Sequence, residues 1–199
     1  MAGFIRTILH VPGIHWISTR VGGKALRSLS FDEKFRSGDW SFDGECPDLV
    51  RIVETLSAGG NVLLMGCGTA PIATILAPAS FATILGVDLS KEAILRARAR
   101  VPECDSARIR FELGDMLDYQ PNQPFDVVLF SESIYYAPRP ARQTLLERIR
   151  ENLTSRGKII VTIAQPDRYA GILKMIRERF CVELDRPLEG GKRHVLVFS

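Results

Sequence analysis

Glycines and acidic residues follow the apolar runs of this sequence at positions where they could contact a ligand. The segment NVLLMGCGTAP, residues 61–71, places Gly66 and Gly68 directly after one apolar run. Asp88 ends the next run, ATILGVD, and Asp115 follows a third in FELGDM. The carboxyl ends of parallel strands meet at one edge of a sheet, and the first strand-to-helix turn is the usual ligand contact there. The spacing therefore predicts a binding site at that edge.

The glycine turn discriminates between nucleotide ligands. Pro71 stands where a dinucleotide fingerprint has its third glycine, and proline removes a backbone N–H that would hold a pyrophosphate. NAD and FAD are therefore disfavoured, and the P-loop pattern GxxxxGK[ST] does not occur. Asp88 lies 20 residues after Gly68, a spacing that suits a carboxylate accepting from ribose hydroxyls. Asp115 can accept from an exocyclic amine while Met116 packs on an aromatic ring, so the set predicts adenosine without phosphates.

The cysteines do not point to metal or thiol chemistry. Cys46, Cys67, Cys104 and Cys181 are far apart and form no CxxC or Cys/His pair, so we expect no metal site and no disulfide framework. Cys67 has no cationic neighbour in sequence that would stabilise a thiolate, so we expect it to contribute main chain to the turn.

The elements that must position these residues alternate along the chain. After a helix predicted at about 47–56, strand-like and helix-like segments follow one another to residue 180. Near-continuous apolar strands separated by amphipathic helices predict a doubly wound, mostly parallel α/β sheet covered on both faces, which makes three layers. CVELDR and RHVLVFS are joined by a short glycine-containing connection, which predicts a hairpin and one antiparallel C-terminal strand.

Composition and charge limit the partners. The chain of 199 residues is 46% hydrophobic with a formal charge of +3, and residues 1–31 contain four basic and no acidic side chains. We expect a cytoplasmic protein without a transmembrane segment. The basic arm, residues 1–44, is either a solvated segment folded over the domain or a weak peripheral membrane contact. Charge is nearly balanced elsewhere, which disfavours nucleic acid as a partner. The sequence does not determine the oligomeric state.

The motifs VLLMGCGTA, GVDLS, FELGDM, FDVVLFSESIYY and LTSRGKIIVT resemble those of class I S-adenosylmethionine-dependent methyltransferases over residues 45–199. The resemblance implies a Rossmann-like sheet of seven strands with the last antiparallel. It implies S-adenosylmethionine as cofactor, with the glycine turn at the methionine part, Asp88 at the ribose, and Asp115 with Met116 at the adenine. Ser131 would lie near the donor. The implied donor site comprises Gly66, Cys67, Gly68, Thr69, Asp88, Leu89, Asp115, Met116 and Ser131.

Two positions depart from the family pattern. Leu64 stands where the family has a carboxylate that helps to hold the donor's ammonium group, and Ala70 replaces its third glycine. Backbone carbonyls near Gly66, or the side chain of Glu132, are possible replacements. The departures motivate an alternative function, that of a catalytically impaired binding or regulatory protein with the same fold.

The segment SESIYYAP supplies the candidate catalytic residues. Glu132 is the candidate general base, and Tyr135 and Tyr136 either orient the acceptor or pack the mouth of the sheet. SESIYY is also similar to small-molecule methyltransferases of the nodulation protein S type. In similar enzymes a segment such as residues 31–42 closes over the donor. Arg36 is therefore a candidate to contact the donor carboxylate, and Trp40 either excludes water or is a structural hydrophobic anchor.

These expectations combine into one predicted activity. The expected enzyme moves a methyl group to an oxygen or nitrogen of a small-molecule acceptor, with a sugar or amino sugar as one candidate class. In the family that the chain resembles, an [DN]PP[YFW] tetrapeptide marks methylation of planar amino groups in nucleic acids or glutamine. None occurs here, so the resemblance disfavours these acceptors.

Overall fold

Helices and strands alternate as the sequence predicts. The computed structural model describes residues 23–38, 40 and 45–199. Residues 1–22, on which the predicted membrane contact rests, lie outside the described residues. The strands are β1 Gly60–Met65, β2 Phe81–Asp88, β3 Ile109–Leu113, β4 Phe125–Ser131, β5 Leu153–Ala164, β6 Val182–Leu188 and β7 Arg193–Phe198. The α-helices of the described residues are α1 Lys24–Ser37, α2 Pro47–Ser57, α3 Ile72–Ile75, α4 Lys91–Arg100, α5 Arg142–Arg150 and α6 Ala170–Arg179.

The seven strands form one sheet in the order β3-β2-β1-β4-β5-β7-β6. Strands β1 to β5 pair in parallel, whereas β7 is antiparallel to both of its neighbours. The order reverses at β1, which has β2 on one side and β4 on the other, so a crevice for ligands opens at the carboxyl ends of these strands. The predicted doubly wound sheet and its C-terminal hairpin are confirmed.

Each face of the sheet has its own hydrophobic core. Successive residues of β1 pack on opposite faces of the sheet: Val62 and Leu64 belong to one hydrophobic cluster, and Leu63 and Met65 belong to the other. Helices α2, α3 and α4 cover the first face, and α5 and α6 cover the second. Because both faces are buried, the central strands are apolar throughout rather than alternating, as parallel sheets require.

Three elements differ from expectation. Residues 24–37 form a helix that the sequence analysis did not predict, because Arg27 and Glu33 interrupt its apolar periodicity. The sequence predicts a helical segment over 73–78, whereas helix α3 has only the four residues Ile72–Ile75, since Pro71 precedes it and Pro78 soon follows. Strand β5 begins at Leu153, which the sequence predicts as the last residue of a helix over 140–153, and it pairs there with Phe125 of β4. None of the helices in the described ranges is long and apolar enough to span a membrane.

Candidate functional site

A cavity of about 290 Å³ opens at the carboxyl ends of β1, β2 and β4. With one exception, every residue that the sequence assigned to the site lines this cavity. They are Trp40, Gly66, Cys67, Gly68, Thr69, Asp88, Leu89, Asp115, Met116, Ser131, Glu132, Tyr135 and Tyr136. The structure therefore brings the predicted donor and catalytic residues together, and their individual roles stay predictions.

Arg36 is the exception. Its guanidinium pairs with Glu33 at 2.9 Å, its side chain is 51% exposed, and it does not line the cavity. In this structure Arg36 is not positioned to contact a donor carboxylate in the cavity.

The residues that sequence reasoning missed include Arg27, Phe31 and Phe35, which follow one another at helical spacing along α1. Their spacing of four residues was the signal in the sequence that could have placed them on one face of a helix.

The turn after β1 requires glycine. Gly66 and Gly68 have φ angles of 66° and 54° in the left-handed region. A Cβ atom on Gly66 would lie 2.7 Å from Ser133 Cβ. Ala70, at the third position of the pattern, also has a positive φ of 47°, which an L-residue adopts at a cost of about 1–2 kcal/mol. The backbone therefore keeps the shape of a glycine turn without the third glycine.

Asp88 holds this turn and faces the cavity. Its carboxylate accepts from Gly68 N–H and from Ser90 N–H, each over 2.8 Å. Burial raises the pKa of Asp88 from 3.8 to about 6, against the effect of these backbone hydrogen bonds, and the nearby Asp32 carboxylate raises it further. Asp88 is therefore both a structural support and a candidate ligand acceptor.

Cys67 offers no reactive thiolate. Burial, followed by the Asp88 carboxylate, raises the pKa of its thiol well above the usual range. A protonated thiol is a poor nucleophile, which agrees with a main-chain contribution at this position.

Helix α1 forms a wall of the cavity. Its Asp32 accepts from Ser90 Oγ over 2.6 Å and from Glu92 N–H over 3.1 Å, which ties α1 to the start of α4. Ser28 Oγ donates to the Leu89 carbonyl over 3.1 Å. These bonds fix α1 beside the loop that follows β2.

Arg27 of α1 pairs with Asp115. The guanidinium donates to both carboxylate oxygens, and the two side chains are 11% and 2% exposed. Asp115 Oδ1 also accepts from Leu117 N–H over 3.1 Å. The carboxylate that the sequence assigned to adenine is thus already engaged by a cation from another part of the chain.

The residue after β4 holds a partly buried carboxylate on a strained backbone. Glu132 has a φ of 52°, and its Oε2 accepts from Ala164 N–H and from Tyr135 OH. Its Oε1 is buried and has no hydrogen-bond partner among the described residues; Arg193 Nε lies 3.7 Å away. Burial raises the pKa of Glu132, while the hydrogen bonds from Ala164 and Thr162 and the charge of Arg193 oppose the shift. This makes Glu132 a stronger base than an exposed glutamate.

Aromatic rings line the mouth of the cavity next to Glu132. The ring of Tyr136 lies 5.4 Å from Trp40, 5.3 Å from Phe31 and 4.8 Å from Tyr135. Burial raises the pKa of Tyr135, which keeps its hydroxyl protonated as a donor to Glu132. The cluster joins α1 to the end of β4.

Comparisons with known proteins identify the fold. A family model described as a methyltransferase domain matches residues 62–157, which include the glycine turn, Asp88, Asp115 and Glu132. A curated relative, the 27-O-demethylrifamycin SV methyltransferase of Amycolatopsis mediterranei strain S699, is 33% identical over 146 residues. Over these residues the chain is similar to methyltransferase domains.

Solved methyltransferases share the fold. N-methyltransferase NodS from Bradyrhizobium japonicum WM9, in complex with S-adenosyl-L-homocysteine, superposes with a TM-score of 0.68 at 17% identity, covering 84% of this chain and 97% of that chain. Glycopeptide N-methyltransferase MtfA, complexed with S-adenosyl-L-methionine, has a TM-score of 0.65 at 16% identity, covering 80% of this chain and 89% of that chain. The match to the rifamycin enzyme covers 60% of this chain and 54% of that enzyme, so the chain spans about half the length of this curated relative.

Proposed function

We propose that this chain is an S-adenosylmethionine-dependent methyltransferase that acts on an oxygen or nitrogen of a small molecule. The observation that carries the proposal is that the left-handed glycine turn, Asp88 and the partly buried Glu132 line one cavity. The relatives are named as an O-methyltransferase of a rifamycin and as N-methyltransferases, which supports this pair of acceptor atoms. A sugar or amino sugar is the proposed acceptor class.

Two features of the cavity fit the donor. Gly66 and Gly68 line the cavity, and because glycine has no side chain a ligand can approach their backbone closely. Thr69 Oγ1 is buried and has no hydrogen-bond partner among the described residues, so it is available to a bound molecule. In this assignment Asp88 accepts from the ribose hydroxyls and Met116 packs on the adenine.

The chain's own residues supply position and a base. S-adenosylmethionine, when bound, provides a methyl group on a sulfonium, which leaves as a neutral thioether when the acceptor's electron pair forms the new bond. Glu132 takes the proton that the acceptor oxygen or nitrogen loses, and Tyr135 orients its carboxylate. Most of the acceleration comes from holding the reactants in line, which can lower a barrier by about 7–11 kcal/mol.

Residues 45–199 form the proposed methyltransferase domain, and the arm of residues 1–44 contributes a cover to the donor site. Helix α1 and Trp40 support the cover because they line the cavity and their aromatic rings contact the end of β4. In this role the cover excludes water from the reacting groups.

Calorimetry tests the cofactor. Purified protein is titrated with S-adenosylmethionine, S-adenosylhomocysteine and NAD. Micromolar binding of the two sulfur ligands, about −8 kcal/mol, with no binding of NAD is expected. Release of S-adenosylhomocysteine is then compared between amine and hydroxyl acceptors to show which class of acceptor is methylated.

The alternative is a binding or regulatory protein that has lost catalysis. Leu64 is buried in the core and Ala70 is strained, and both depart from the family pattern. Folded protein that binds none of the three ligands would favour this alternative and refute the enzyme.

A further inference from the structure

Strand β1 carries no charge at the site. Leu64 stands at the position where the resemblance places a carboxylate, is 2% exposed, and packs in one cluster with Cys46 and Leu49. A methionine-type ligand at the glycine turn brings an ammonium group, and a buried ammonium requires a compensating negative charge. That charge must come from another element.

Glu45 brings a carboxylate to this edge from the same face of the sheet as Leu64. It directly precedes Cys46 and α2, its side chain is 9% exposed, and it lines the cavity. Its Oε1 accepts from Ser131 Oγ over 3.1 Å. Leu64 of β1 pairs with Leu129 of β4. Gly66 lies two residues after Leu64, and Ser131 lies two residues after Leu129. Glu45 therefore binds at the strand end next to the glycine turn.

The carboxylates around Glu45 outnumber the cation that pairs with them, which favours binding of a second cation. Arg193 lies 3.0 Å from Glu45, 3.7 Å from Glu132 and 3.6 Å from Glu189. One guanidinium therefore faces three carboxylates. An additional positive group near Glu45 is favoured because these charges are partly removed from water, where their attraction is screened less.

We propose that Glu45 binds the α-ammonium group of the donor and replaces the carboxylate that β1 lacks. Ser131 orients the Glu45 carboxylate by its hydrogen bond, and Arg193 holds the opposite oxygen. The assignment rests on the proposed function, since it needs a donor with an amino-acid end. It makes Glu45 a donor-binding residue distinct from the base, Glu132.

A chemical double-mutant cycle tests the assignment. Calorimetry measures the affinity of the full chain for S-adenosylhomocysteine and for its desamino analogue, which lacks only the ammonium group. The wild type is expected to prefer S-adenosylhomocysteine by about 10- to 100-fold, the range for a charge-assisted hydrogen bond. In Glu45→Gln this preference is expected to fall to within about twofold, with affinity for the desamino analogue nearly unchanged.

Glu189→Gln is the matched control. Glu189 also pairs with Arg193 but does not line the cavity, so this variant should keep the wild-type preference. Ser131→Ala provides a second variant should Glu45→Gln melt far below the wild type. It removes the orienting hydroxyl, leaves the Glu45–Arg193 pair, and is expected to reduce the preference several-fold.

The outcomes separate this assignment from the proposed function. A wild-type protein that binds neither ligand overturns the proposed function and the assignment with it. Tight binding with an unchanged preference in Glu45→Gln, or in Ser131→Ala where Glu45→Gln does not fold, overturns the role of Glu45 alone. The role of Glu45 is also overturned if Glu45→Gln weakens the binding of both ligands equally. It is overturned as well if Glu132→Gln loses the preference for S-adenosylhomocysteine and Glu45→Gln keeps it.

Discussion

Acid should weaken donor binding through Asp88. Its carboxylate already accepts from Gly68 N–H and Ser90 N–H, and only its ionised form has enough acceptor capacity to receive ribose hydroxyls as well. Burial raises the pKa of this group from 3.8 to about 6. Donor affinity should therefore be constant above about pH 7 and should fall as the pH drops through 6.

The magnitude follows from the ionised fraction of Asp88. With a pKa of about 6, this fraction is about 0.97 at pH 7.5 and about 0.09 at pH 5. Affinity for S-adenosylhomocysteine should thus fall about tenfold between these values, or ~1.4 kcal/mol. The stability of the free protein has the opposite trend. Because the folded state binds the proton more tightly than the unfolded chain, this group's stabilising contribution is present below about pH 4 and is lost as the pH rises through about 6.

Calorimetry at pH 5, 6 and 7.5 measures the profile. Asp88→Asn should bind weakly and without this pH dependence. It is preferable to Asp88→Ala because the amide oxygen can still accept one of the two backbone N–H groups that hold the turn. Asp118→Asn is the control, since Asp118 is 70% exposed and does not line the cavity. A flat wild-type profile, or the same tenfold fall in Asp88→Asn, would refute the role of Asp88.

Three further substitutions probe other parts of the site. Glu132→Gln should lower turnover by about 10²- to 10⁴-fold, the usual contribution of a general base, with donor affinity within twofold; normal turnover on the true acceptor would exclude Glu132 as the base. Thr69→Val should raise the free energy of unfolding by ~1 kcal/mol in thermal melts, because the buried hydroxyl has no partner in the described residues, and should weaken donor binding; a lower melting temperature would contradict this. Arg27→Met should lower the free energy of unfolding, measured with denaturant, by about 3–5 kcal/mol because it leaves Asp115 buried without its cation. Arg36→Met, on the exposed side of the same helix, should change this free energy by less than about 0.5 kcal/mol. Equal effects of the two substitutions would refute the importance of the buried pair.

The sequence by itself determined the sheet and the edge at which the site lies. Apolar runs alternate with helical segments, and this local pattern decides which segments become strands and which face of each helix is buried. The left-handed turn at Gly66 and Gly68 is also signalled locally, since the positive φ angles of these two residues favour glycine whatever packs against them. Parallel strand ends must share one edge, so Asp88, Asp115 and Glu132 were predicted to converge without any knowledge of long-range contacts.

Only the tertiary structure decided which charges meet inside that edge. Arg27 and Asp115 are 88 residues apart, and Glu45 and Arg193 are 148 residues apart. No local pattern encodes either pair, because each depends on where a helix or a hairpin packs after the sheet has formed. For the same reason Arg36, rather than Arg27, was predicted at the donor site. Both cations stand on the helix of residues 24–37, and only packing of that helix against the β2 edge turns one inward and leaves the other in solvent.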